Sequence, residues 1–291
     1  MSGDPIDDLI AAERLPASYR QVVERFWQPL ADSIAERTET RYPLIVGVNG
    51  AQGSGKSTLC RVLELLLGQR GLRVVTLALD DLYLARAERA ALAREVHPLF
   101  ATRGVPGTHA IGLGFDIVER VLTEQPFTLP RFDKALDDRA PQGTRVEGPV
   151  DVLLFEGWCV GARAQDGAAL ATPINALEAE EDRDGLWRHV VNRHLGLEYA
   201  KLFGLIDLLV MLKVDSFEAV LANRRLQEDK LAAANPEAPG LMDEAALVRF
   251  VAHYERLTRH MLAEMPGRAE IVFEIGADQV PLALPDVLHP R

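Results

Sequence analysis

Cysteine is scarce in this chain of 291 residues: Cys60 and Cys159 are the two it has, and they form no CxxC pair. Neither a disulfide framework nor a zinc-binding thiolate cluster is expected. The acidic N-terminus, "MSGDPIDDLIAAERLPASYR", lacks the apolar run of a secretion signal, so the reading is a protein of the reducing cytoplasm. Long hydrophobic runs are missing too. The longest fall well short of the roughly 20 residues that span a bilayer, which argues against a membrane protein. Cations are outnumbered, 32 Lys and Arg against 43 Asp and Glu, for a net charge of −11. Binding a phosphate polymer by counterion release takes clustered Lys and Arg, so nucleic acid is not an expected partner, and an anionic small substrate would need a local basic pocket. The seven histidines contain no HExxH, and His189 and His194, five apart, make a poor shared helix face for a metal.

Apolar residues are abundant by contrast: 48% hydrophobic beside 26% charged suits an ordinary soluble protein with a substantial core. The length fits one large α/β domain, read as a single unit over 1–291. Five short, nearly continuous apolar runs, "YPLIVGV", "RVVTLAL", "VDVLLFE", "IDLLVMLKV" and "AEIVFEI", read as strands buried on both faces. Helical spacing fills the intervals at 56–69, 113–124, 187–203, 216–234 and 243–264. An N-terminal helical extension over 1–40 precedes them, its main helix at 18–38 with Ser18 as cap. This alternation implies right-handed crossovers and a doubly wound parallel sheet. Two stretches rich in Gly, Pro and charge, 96–112 and 126–149, read as long loops of the kind that carry function. "NPEAPG" at 235–240 reads as a hinge within a region near 224–240.

One stretch carries chemistry outright. Gly50, Ala51, Gln52, Gly53, Ser54, Gly55, Lys56 and Ser57, followed by Thr58, satisfy GxxxxGK[ST] between a buried strand and a helix. Glycines let successive backbone N–H groups converge on phosphate oxygens, and the new helix aims its positive end at the same point. Lys56 reaches the β and γ phosphates and the Ser57 hydroxyl serves Mg²⁺. ATP and Mg²⁺ are therefore the expected cofactors; the alternative is a plain glycine turn with Lys56 solvated. Glu156, at the end of "VDVLLFEG", is the expected acidic partner of the metal, or else a solvated strand-end charge. Cys60 reads as a small packed residue, since nothing marks it as an activated thiolate.

A GTPase would need an NKxD-like guanine reader and an ABC-type ATPase an LSGGQ-like signature, and the chain has neither. A small-molecule kinase needs a carboxylate at another strand end to accept the acceptor hydroxyl's proton. "LALDDLYLA" offers Asp80 and Asp81 there. Paired carboxylates at a strand end call for a compensating cation or proton, although one of them as a cap for the following "LYLARAERAAL" is the competing reading.

Taken together, "GAQGSGKST", "LDDLYL", "HPLFATRGVPGTH", "LPRFDKALDDR", "FEGWCVGA", "INALEAEED" and "RRLQEDKL" resemble, in that order across 44–265, the D-glycerate 3-kinases of plant and fungal type and their bacterial relatives. These belong to the P-loop group that includes phosphoribulokinase, uridine kinase and pantothenate kinase. The resemblance implies an α/β P-loop NTPase fold, with a five-stranded parallel sheet in the order 2-3-1-4-5, helices on both faces and a mobile lid. It implies phosphoryl transfer from MgATP to a hydroxyl of D-glycerate, giving 3-phosphoglycerate. Asp80 is then the base, with Asp81 beside it at the metal, and Tyr83 packs or hydrogen-bonds near the acceptor. Glycerate's carboxylate calls for the planar fork of arginine. Arg103 and Arg131 are the candidates, with His109, Asp133 and Lys134 completing the pocket and Lys134 screening the transferred group. Arg225, beside Arg224, stands where related kinases carry a lid arginine that screens transition-state charge. Trp158 and Cys159 line the acceptor site or simply pack. One departure bears on specificity: the family commonly has an acid after the PGTH segment, and here Ala110 stands there. The alternatives are a kinase for another metabolite (a nucleoside, a pantothenate-like acid or a sugar acid) and an ATP-dependent regulatory protein. Oligomeric state has no signal, and the acidic run 178–184 is split between a solvated surface and a motif of unassigned role.

Overall fold

The computed structural model describes residues 4–234 and 242–288. The hinge expected at 235–240 lies outside the described residues. Five parallel strands form the central sheet: β1 Leu44–Gly50, β2 Val74–Ala78, β3 Val152–Gly157, β4 Leu208–Val214 and β5 Ile271–Ile275. Their spatial order is β2-β3-β1-β4-β5. Every residue of β1 and β3 is buried, as expected of strands covered on both faces, whereas β2 at the sheet edge is only half-buried.

Helices supply the two covers. In chain order they are α1 Pro5–Ala12, α2 Tyr19–Val22, α3 Gln28–Thr38, α4 Lys56–Gly68, α5 Arg86–Glu95, α6 Ile111–Leu122, α7 Ala176–Glu181, α8 Leu186–His194, α9 Ala200–Phe203, α10 Phe217–Ala234 and α11 Glu244–Glu264. Alternation along β1 sends Leu44, Val46 and Val48 into a core with Phe26, Leu30 and Leu63, while Ile45 joins Val118, Tyr199 and Met261 on the other face. The N-terminal helices thus pack on the sheet, and Trp27 meets Phe273 of β5 edge-on at 5.0 Å. Among the described residues no helix is long and apolar enough to cross a membrane.

Four local expectations change. Segment 126–149 is a pair of nested antiparallel ribbons, Phe127–Leu129 with Thr144–Val146 and Phe132–Asp133 with Asp138–Arg139. Strands of two or three residues are too short to show a period of two. The helix at 18–38 is interrupted by a π-turn at Val23–Trp27 just before Pro29, whose ring cannot supply the N–H that the carbonyl four residues earlier needs. Ser18 already has helical backbone angles and makes no capping bond. Helix α5 forms in the stretch for which an aspartate cap is the competing reading, but its first turn is closed by Glu88, which accepts the Ala85 N–H at 2.7 Å, so neither Asp80 nor Asp81 caps it.

The acidic run 178–184 is structural in part. Glu178 and Asp182 are fully buried, Glu178 held by the Arg256 guanidinium of α11 at 2.6 Å and Asp182 by Arg188 at 2.9 Å. Asn175 opens α7 by accepting the Glu178 N–H and donates to the Ala252 carbonyl of α11 at 3.0 Å.

Candidate active site

The C-terminal edge of the sheet gathers the site. Register places Glu156 of β3 between Val48 of β1 and Ala78 of β2, so the turns leaving all three strands open toward one place. After β1 the chain turns tightly into α4. Gly55 has φ +88° at the start of that helix, and a Cβ on Gly50 would lie 2.3 Å from the Ser54 hydroxyl, so the turn tolerates neither side chain. The first amides of α4 are left without intrahelical partners, at the positive end of the helix.

A cavity of about 830 Å³ opens on that turn. Gln52, Gly53, Gly55, Lys56, Ser57 and Thr58 line it from the loop side. Asp80, Asp81, Arg131, Lys134 and Glu156 face it from the strand ends and the ribbon, and Gln279 from the turn after β5. Gly50, Ala51 and Ser54 build the turn from behind and are buried.

Ser57 donates its hydroxyl proton to Glu156 Oε1 at 2.9 Å. Glu156 is 7% exposed, and among the described residues this neutral hydroxyl is its hydrogen-bond partner. A buried carboxylate answered by a hydroxyl alone is under-compensated, and two hard oxygens side by side at a phosphate-binding turn suit Mg²⁺, which takes its remaining ligands from phosphate and water. Among the described residues no group of three or more His, Cys, Asp or Glu gathers around a potential metal.

The Asp80–Asp81 pair lies in a 3₁₀ turn, Leu79–Leu82, directly after β2. Asp80 Oδ1 accepts the Tyr83 hydroxyl at 2.6 Å and Oδ2 accepts Lys134 Nζ at 2.7 Å. Burial pushes the Asp80 carboxyl up, but the charge and hydrogen bond of Lys134, then the Tyr83 hydroxyl and the Lys56 charge, outweigh it and hold the pKa at about 2. Asp81 is turned to the ribbon instead: it accepts from Arg131 at 2.9 Å and from the Phe132 N–H at 3.0 Å. Both its oxygens are engaged there in this structure, so the metal role read for it in the sequence would require Arg131 to leave.

Four expected residues stand outside the cavity wall. Arg103 pairs with Asp137, which also holds the buried Arg89, and its guanidinium lies over the Phe132 ring at 5.6 Å. Asp133 accepts the N–H groups of Ala135 and Leu136 and so closes the ribbon's inner turn. Arg225 is ion-paired with Glu244, in the first turn of α11, on an exposed face. His109 is buried behind Tyr83, its ring stacked on the tyrosine at 4.8 Å. The Tyr199 hydroxyl accepts the Gly107 N–H at 3.0 Å and is hydrogen-bonded to His109 Nδ1 at 2.6 Å. Burial drives the His109 pKa down to about 3, so its ring is neutral.

Trp158, read as lining the acceptor site or packing, and Tyr199 and Tyr254, which the sequence gives no role, hold these loops. Trp158 donates its indole N–H to the Gly104 carbonyl at 2.8 Å, and Tyr254 donates its hydroxyl to the Arg103 carbonyl at 2.8 Å. Trp158, Tyr199 and Tyr254 are amphipathic rings whose apolar bodies fit the core pattern; their polar tips gave no signal. Burial raises the pKa of both thiols, Cys60 and Cys159, with nearby carboxylates adding to it, so neither is an activated nucleophile.

No protein-family model matches the chain. It is 32% identical over 224 residues to the kinase mug58 of Schizosaccharomyces pombe, covering 73% of this chain and 78% of that one. It is 29% identical over 244 residues to the chloroplastic D-glycerate 3-kinase of Arabidopsis thaliana, covering 78% of this chain but half of the plant protein's length. Among solved structures, the D-glycerate 3-kinase of Cryptococcus neoformans var. grubii superposes with a TM-score of 0.73 at 25% identity, over 92% of this chain and 98% of that one.

Proposed function

We infer that this chain, which belongs to the D-glycerate 3-kinase family of P-loop kinases, transfers the γ-phosphoryl group of ATP to a hydroxyl of D-glycerate, giving 3-phosphoglycerate. That it is an ATP-dependent phosphotransferase acting on an alcohol group is common to its kinase relatives. The observation that carries the reading is one cavity walled by both the phosphate-binding turn, with Lys56, and a strand-end carboxylate, Asp80, beside two cations of the ribbon, Arg131 and Lys134.

In this reading the loop amides and Lys56 grip the β and γ phosphates and fix the γ-phosphorus in line with the acceptor. Ser57 and Glu156 would hold Mg²⁺, which when bound would offset negative charge on the phosphates. Asp80 takes the acceptor's proton. The acceptor carboxylate falls to Arg131 and Lys134, since Arg103 is engaged behind the Phe132 ring by Asp137. Arg103 then acts at one remove, by fixing the ribbon. Substrate binding on this protein is a partner exchange: Arg131 and Lys134 leave Asp81 and Asp80 for a ligand anion.

ADP formation measured with ATP, Mg²⁺ and a panel of acceptors tests this. Strong stimulation by D-glycerate is expected. Stimulation only by a nucleoside, a pantothenate-like acid or a sugar acid reassigns the substrate, and hydrolysis indifferent to every acceptor removes the kinase reading in favour of an ATP-dependent regulator.

A further inference from the structure

The two oxygens of Asp80 have donors of opposite character. Tyr83, on Oδ1, is 5% exposed. Its ring stacks on His109 at 4.8 Å and meets Phe132 edge-on at 5.1 Å. Its backbone is tied to the 104–110 loop on both sides, by Leu84 N–H to the Thr108 carbonyl at 2.9 Å and by Ala110 N–H to the Leu82 carbonyl at 2.7 Å. His109 is in turn fixed by Tyr199. This donor has nowhere to go. Lys134, on Oδ2, is 63% exposed, on a flexible four-carbon stem between the two short inner strands of the ribbon.

We propose that Tyr83 is a positioning residue that divides the work of the Asp80 carboxylate: its hydroxyl pins Oδ1, so that Oδ2 is the oxygen that receives the acceptor's proton, and Lys134 stands at Oδ2 until the acceptor displaces it. The proposal rests on the kinase reading above, with Asp80 as base, and adds which oxygen acts and what aims it. In the step, the acceptor O–H bond breaks and its proton passes to Oδ2. The acceptor oxygen's electron pair forms the new O–P bond, and the bond from the γ-phosphorus to the bridging oxygen breaks with its pair leaving on ADP. Tyr83 keeps its proton throughout, because burial, and after it the Asp80 charge, push the phenol's pKa upward. The displaced Lys134 carries its charge to the phosphoryl oxygens or the acceptor carboxylate, where negative charge has arrived.

Phenylalanine at 83 keeps the ring and removes only the donor, so the test variant is Tyr83→Phe, assayed with D-glycerate beside Asp80→Asn, Lys134→Gln and the doubles. The expected result is a kcat lower by about tenfold, the loss of one hydrogen bond to a charged group, with the KM for ATP unchanged. On the Asp80→Asn background the same substitution adds nothing, because Tyr83 acts through Asp80. The Tyr83→Phe and Lys134→Gln losses multiply, because they serve different oxygens. A crystal structure of Tyr83→Phe gives a readout independent of acceptor: the Asp80 carboxylate leaves its present orientation. A Tyr83→Phe enzyme within about twofold of wild type, or a carboxylate that has not moved, overturns the proposal while Asp80→Asn remains inactive. Turnover retained by Asp80→Asn overturns the base assignment, and this proposal with it.

Discussion

Ser57 and Glu156, ninety-nine residues apart in the chain, meet at 2.9 Å where the first turn of α4 faces the end of β3. The contact joins the phosphate-binding turn to the neighbouring strand and leaves a buried carboxylate matched by a neutral donor. Glu156→Gln should therefore leave the empty protein's melting temperature unchanged or slightly raised, since it removes a buried charge. The apparent Mg²⁺ requirement should rise and kcat/KM should fall by roughly 10- to 100-fold. A Mg²⁺ titration of turnover beside a melt without metal checks both, and an unaltered Mg²⁺ dependence removes Glu156 from the metal.

Asp80→Asn should lower kcat by roughly 10²- to 10⁴-fold, the usual worth of a positioned general base, and leave ATP binding by calorimetry intact. With its carboxyl held at about 2 in the empty enzyme, Asp80 is ionised across the working range, so an acid limb in kcat/KM above pH 4 belongs to another group.

Much of this site is legible because its chemistry requires particular residues at particular spacings. The glycine turn must be followed by Lys56 and Ser57, and strands buried on both faces must read as apolar runs, so β1, β3 and the carboxylates at the strand ends can be placed from sequence. What faces what is harder. The spacing alone leaves Asp80 and Asp81 equivalent and only the family resemblance tells them apart; that Asp81 belongs to Arg131 and the Phe132 amide is seen in the ribbon, whose strands are too short to carry a period. Arg225 turns to Glu244 because α11 begins beside it, a contact that spans the 235–240 segment and has no local signature. Tyr199 and Tyr254 occupy core positions, and their hydroxyl bonds depend on loops that come close only in the fold.

Stability should depend on pH through the buried histidines. The unfolded chain takes up a proton on His109 below about pH 6.5, whereas the folded ring, held neutral by burial, does so only near 3. The stability from keeping that ring neutral is fully present above pH 6.5 and is lost as pH falls toward 3, by at most about 1.4 kcal/mol per pH unit. His253 and His260 are shifted down in the same sense and add to the slope. Asp80, Glu181 and Glu218 are carboxyls held below their ordinary values, and their contributions fall as pH drops below about 5.5, so the window from about 5.5 to 6.5 isolates the histidines. His109→Gln should flatten the dependence of urea stability on pH in that window, and a slope equal to wild type refutes the assignment.

The acidic run 178–184 separates a clasp from a surface. Asp182 has no exposure and accepts the Trp187 N–H at 2.8 Å and the Arg188 guanidinium at 2.9 Å, while Glu178 is gripped by Arg256 of α11. Removing one partner from such a pair leaves the other charge buried and unanswered, at a cost of about 3–5 kcal/mol. Asp182→Ala and Glu178→Ala should each lower the unfolding free energy from urea titration by that amount, whereas Glu180→Ala, on the exposed side of the same helix, should lie within about 0.5 kcal/mol of wild type. Because α11 also carries Tyr254, whose hydroxyl holds the Arg103 carbonyl, loosening Glu178 should reach the acceptor side before the nucleotide side. In the folded Glu178→Ala protein the KM for the acceptor should rise more than the KM for ATP. Equal changes in the two would show that α7 steadies the fold as a whole and has no particular hold on the acceptor loop.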